Sequence, residues 1–202
     1  MKILLTTIVF ISLNSGVNAA VTSIGSFTNN IDGSYTISTG RGAVTDTGVE
    51  HFLDLSSGAI DSVSTTRYGT MGNATEGSAF REDISVVTGE VFSFDWLWLT
   101  QEAPDVWNNG WNDFAFVSLS LDGISVFANT FTPTHTSDTF SWIANSTGIL
   151  TFGVGVMDER DIIVDSKVTV SNIRVKSVPE ASSLLLIGLG LLGLFGVLKR
   201  KV

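Results

Sequence analysis

The sequence of 202 residues contains no cysteine. That absence excludes disulfides, iron–sulfur clusters, cysteine-based zinc sites and thiol catalysis. A domain of this size does not need disulfides, even when exported, because its hydrophobic core can suffice. Histidine is nearly as scarce, with only His51 and His135. No Gly-x-Ser-x-Gly elbow, His-Glu-x-x-His pair or phosphate-binding loop is present. Support for catalysis is therefore thin. Positive charge is also sparse: residues 20–176 hold 7 of the 11 basic residues and 19 of the 20 acidic ones, a net charge of −12. Such a surface repels phosphate backbones and argues against nucleic acid as a partner. It is compatible with divalent cations, and equally with solubility alone.

The two ends differ in kind from the middle. Lys2 is followed by the apolar run Ile3–Leu13 and then by "GVNAA", with small residues at Val17 and Ala19. A basic start, a short apolar stretch and a small-x-small site read as a secretory signal cleaved after Ala19, with cleavage after Ala20 also possible. At the other end, Leu184–Leu198 is free of charge, and with Ala181–Ser183 the uncharged stretch reaches 18 residues. That length is at the short edge of a membrane-spanning helix. The cluster Lys199-Arg200-Lys201 follows at once and favours retention on the cytoplasmic side, with the preceding domain outside. The chain thus divides into a signal peptide (1–19), a central domain (20–177) and a sorting or anchor segment (178–202).

The middle reads as all-β. "VFSFDWLW" (Val91–Trp98) places Phe92, Phe94, Trp96 and Trp98 on one face, with Ser93 and Asp95 opposite. "DFAFVSLSLDG" (Asp113–Gly123) alternates as well and closes on an Asp-Gly turn pair, with Ile124–Phe127 as the returning strand. Asp138–Ile143 is a further strand. Ile149–Met157 sets Leu150, Phe152, Val154 and Val156 against Gly153 and Gly155, whose small size would admit another backbone. In Ile162–Val175 the alternation shifts between Val170 and Ile173, which predicts a bulge near Ser171-Asn172. Ser34–Ser38, Glu50–Leu55 and Ile84–Val87 are weaker strand candidates. No window outside the two ends carries a helical period. Many short strands separated by turn signals predict a jelly-roll-like β-sandwich, flanked by the signal peptide and one C-terminal transmembrane helix.

Two resemblances rest on specific residues. Val178, Pro179, Glu180, Ala181 and Ser182, the Leu/Gly-rich span and the stop Lys199, Arg200 and Lys201 together resemble a PEP-CTERM sorting signal of Gram-negative bacteria. Ala181 stands where that pattern has a second proline. The resemblance implies an exosortase-like sorting enzyme and signal peptidase as partners. It also implies an inner-membrane intermediate and a cell-surface or extracellular destination, often in exopolysaccharide or biofilm settings. Thr100-Gln101-Glu102, Asn112-Asp113-Phe114, Val156-Met157-Asp158, Asp165-Ser166 and Asn172-Ile173-Arg174-Val175 resemble a domain common on such proteins. That likeness implies a β-sandwich and no established catalytic residues.

Two acidic segments remain, "TQEAPDVWNNGWND" and "MDERDIIVDS". Calcium takes 6–8 oxygen ligands, so carboxylates from two loops at one end of a sandwich would suit it. Glu102, Asp113, Asp158 and Asp165 are the candidate ligands. The alternative is that these residues serve turns by hydrogen-bonding their own backbone. Trp107 and Trp111 are candidates for stacking on sugar rings, or else for closing the end of the core. The expectation is an exported, non-enzymatic surface or matrix protein. A calcium-containing carbohydrate-binding module and a secreted glycan-active enzyme are the alternatives.

Overall fold

The computed structural model describes residues 20–64, 73–102, 112–159 and 164–178. Eleven strands and two short helices are assigned among them. They are β1 (Thr22–Ile24), β2 (Ser26–Asn29), β3 (Tyr35–Ser38), β4 (Val44–Thr45), α1 (Asp46–Phe52), α2 (Ala59–Val63), β5 (Ala74–Val86), β6 (Val91–Thr100), β7 (Phe114–Leu119), β8 (Gly123–Asn129), β9 (Thr136–Ile143), β10 (Gly148–Glu159) and β11 (Ser166–Lys176). One sheet has the order β1-β5-β10-β7-β8, with β4 also on β5; the other has the order β2-β3-β11-β6-β9. Every pairing is antiparallel.

The alternation read from the sequence sets the core. Phe92, Phe94, Trp96 and Trp98 of β6 pack with Val168 and Val170 of β11 against Leu150, Phe152, Val154 and Val156 of β10. Burying such side chains is the main driving term, roughly 1.5–3 kcal/mol for each aliphatic or phenyl group. The Asp122-Gly123 turn closes the β7–β8 hairpin, with Gly123 at φ 87°, a left-handed conformation that costs glycine nothing. The predicted bulge is present: pairing between β11 and β6 slips between Ser171 and Arg174, and Asn172 has φ 51°.

Three expectations need correction. Glu50–Leu55 is not a strand, because α1 covers Glu50–Phe52 and a turn follows. Thr45 caps this helix by accepting a hydrogen bond from Gly48 N at 3.2 Å. Val49 and Leu53, four residues apart, both point into a second core cluster. Helices therefore do exist in the domain, although both are short. Ile84–Val87 is the end of a much longer strand, the 13-residue β5. Finally, Gly153 and Gly155 admit side chains rather than a backbone. A Cβ on Gly155 would strike the Phe116 ring, and one on Gly153 would strike Leu53.

The second cluster explains why β7 is buried at all six positions. Its inward residues face the other sheet, while Phe114 and Phe116 lie beneath α1 and α2 with Ala79 and Met157. Among the described residues no helix is long and apolar enough to cross a membrane. The expected signal peptide and the expected transmembrane helix lie outside the described residues.

Candidate functional site

The end of β6, the entry to β7, the end of β10 and the entry to β11 lie at one end of the sandwich. Register fixes this: Ser166 pairs with Thr100, and Phe114 pairs with Met157. The strand ends carry an unusual load of buried polar groups. Glu102, Asn112, Asp113, Asp158, Glu159 and Ser166 are all buried, Asp113, Glu159 and Ser166 completely.

A network of hydroxyls shapes this end. Ser166 Oγ donates to Thr100 Oγ1 at 2.8 Å, and Thr100 Oγ1 also accepts from Glu102 N at 3.0 Å. Thr39 Oγ1 accepts from Ser166 N, and Ser166 O accepts from Thr39 N, both at 3.0 Å. On the other side Thr130 N donates to Asp113 O at 2.9 Å, and Thr75 Oγ1 donates to Asp158 O at 3.2 Å.

Asp113 is the electrostatic centre. Burial, and after it the negative charge of Asp158, push its carboxyl up to about 8. Ser166 and Glu102 act in the opposite direction but do not offset the burial. A carboxylic acid deprived of water holds its proton, because the charged form loses more solvation than these hydrogen bonds replace. Burial beside Asp158 thus favours the neutral acid form of Asp113 over its carboxylate.

Of the four carboxylates expected to meet, the structure buries Glu102, Asp113 and Asp158 together. Asp165 is exposed, with its carboxylate over Gly40. Among the described residues no group of three or more His, Cys, Asp or Glu is arranged as a metal centre. Sequence reasoning did not single out Glu159 or Ser166 as site residues. The signal for Ser166 was its place at the start of β11, opposite the Thr-x-Glu stretch. Trp107 and Trp111 lie outside the described residues. So do Pro179, Glu180, Ala181, Ser182, Lys199, Arg200 and Lys201; Val178 is described and exposed.

Comparison with known proteins adds one clear result. The family model of the PEP-CTERM protein-sorting motif matches residues 177–201. The motif indicates an exported protein sorted to the cell surface and implies processing by an exosortase-type enzyme. No curated protein matches the chain. Among solved structures, one similar chain is described as Family 16 Carbohydrate Binding Module-2. It has 13% identity and a TM-score of 0.28 over 51% of this chain and 77% of that one. Another is the enzymatically active domain of tailspike protein 4 of bacteriophage CBA120. It has 11% identity and a TM-score of 0.29 over 79% of this chain and 19% of that one. Likenesses at these scores carry no argument about function.

Proposed function

We propose that this chain is an exported, non-enzymatic protein whose jelly-roll-like sandwich is displayed at the cell surface or released into an extracellular polymer matrix. Signal peptidase removes residues 1–19. The C-terminal segment holds the protein in the inner membrane until the sorting enzyme acts near Pro179. One observation carries this reading: the sorting motif matches from residue 177, and β11 ends at Lys176. The signal thus begins where the fold stops, and cutting there leaves the sandwich intact. Epitope tags placed before and after Pro179 test it. Two separate species are expected, the longer outside the cell; one full-length membrane species carrying both tags overturns the proposal.

A second reading starts from the burial of Glu102, Asp113 and Asp158 at one end of the sandwich. We infer that the sandwich binds extracellular polysaccharide and that calcium steadies this end of it. A divalent cation would replace the proton that burial forces on Asp113, since calcium prefers carboxylate and carbonyl oxygens. Calorimetric titration of the metal-free protein with calcium should give heat and a raised melting temperature. Absence of both removes calcium from the reading.

A further inference from the structure

The outer face of the β5-containing sheet holds a cleft of about 470 Å³ where the α1–α2 layer stops. Beneath the helices the sheet is apolar, with Ala79, Phe116 and Met157. One pleat further on, a cross-strand row runs Arg81, Gly153, Ser118, Ile124. Gly153 contributes no side chain, and Leu53 and Ser118 close over it to form the floor. Leu53 and Leu55 form one wall, and Thr151 lies on the far rim.

The polar groups in this cleft are held in place and are not saturated. Arg81 Nη1 donates to Phe52 O and to Asp54 Oδ2, each at 2.7 Å, and its guanidinium lies 5.3 Å from the Phe52 ring centroid. One nitrogen makes both bonds, which leaves the guanidinium's other donors for a ligand. Ser118 is 6% exposed, yet no described residue hydrogen-bonds its hydroxyl. Its hydroxyl faces the cleft and has donor and acceptor capacity to offer a ligand. Ser118 Oγ lies beside Gly153 and lines the cleft.

The chemistry selects a ligand class. Arg81 and Asp54 cancel in charge, and the domain around them is strongly acidic, so an anion gains little here. An apolar ligand would leave Arg81 and Ser118 unmet. A neutral polyhydroxylated ring suits both: its hydroxyls donate to Asp54 and accept from Arg81 and Ser118, and its C–H face packs on Leu53 and Ile124. The volume falls within the usual 300–1,000 Å³ of small-molecule sites. We propose that this cleft binds a neutral sugar unit of a polysaccharide. The proposal rests on the polysaccharide-binding reading above but not on export or on calcium.

Calorimetry on the full chain, in a detergent without a sugar headgroup, tests it with neutral gluco-, manno- and galacto-configured tetrasaccharides and a uronic acid tetrasaccharide. At least one neutral probe should bind, and the uronate should not. The variant Ser118→Ala, which removes one cleft hydroxyl and little volume, should weaken binding several-fold. Ile124→Trp, which fills the cleft from its rim, should abolish it. Melting curves of both variants identify any that fails to fold; either folded variant serves alone. Unchanged binding in a folded cleft variant, with loss in Trp107→Ala/Trp111→Ala, would overturn the cleft and keep polysaccharide binding. Binding of the uronate alone overturns the neutral ligand, and no binding of any probe overturns both.

Discussion

Two buried carboxylates show how differently a single residue can be accommodated. Glu50 is 3% exposed, but Oε1 accepts from Ile60 N at 3.0 Å and Oε2 from Gly58 N at 3.1 Å. It satisfies the first amides of α2, which have no partner within the helix. Asp113 faces other acids instead and is pushed up to about 8. The consequence for stability has a definite sign. The folded value lies above the unfolded value of 3.8, so the folded state binds the extra proton between those limits. Stability from this group is therefore complete below about pH 4 and falls as pH rises towards 8. Melting curves in calcium-free buffer should show a lower Tm at pH 8 than at pH 5, about 2–4 °C for each ~1 kcal/mol lost. Asp113→Asn should flatten that slope. A slope that persists in the variant would place the titrating group elsewhere.

At the scale of elements, a different aspartate ties three strands together. Asp95 on β6 accepts from Thr139 Oγ1 of β9 at 2.7 Å and from Asn172 Nδ2 of β11 at 2.8 Å, and it pairs with Arg174 at 3.4 Å. Asn172 lies in the bulge and Arg174 at its end, so the carboxylate pins the register slip in place. The Thr139 and Asn172 hydrogen bonds, followed by Arg174, lower Asp95 to about 2. Here the sign reverses: the contribution is present above about pH 4 and disappears as pH falls towards 2. Asp95→Asn should leave an acid-unfolding curve less steep between pH 4 and 2 than in the parent protein. An identical acid limb would mean that the clamp contributes nothing. The bulge was legible in the sequence because Val170 and Ile173 break period two on a strand that otherwise keeps it. The faces of β6 and β10 were legible for the same reason. Helix α1 was not, because Val49 and Leu53 fit both a strand alternation and an i, i+4 pair, and only the tertiary partner decides. The site was legible in part. Acidic runs marked Glu102, Asp113 and Asp158, but the exposure of Asp165 depends on where β11 enters the sheet.

For the whole molecule, the decisive feature is how cleanly the work divides along the chain. Every hydrophobic residue of the two core clusters lies between Val21 and Val175. The sorting motif starts at residue 177. The sandwich therefore owes none of its described core to the segment that addresses it. That separation is physically sensible, because a domain that depended on its sorting signal would unfold when the signal was cut away. The charge supports the same division: residues 20–176 carry −12, whereas the last residues add Lys199, Arg200 and Lys201. A stop codon after Ser177 should then yield a protein that melts cooperatively, within about 2 °C of the full chain, since every residue of the described core is kept. In the producing cell the same truncation should leave the protein in the periplasm and absent from the surface fraction. A truncated chain that fails to fold would show that the tail belongs to the fold; one that still reaches the surface would show that the address lies elsewhere.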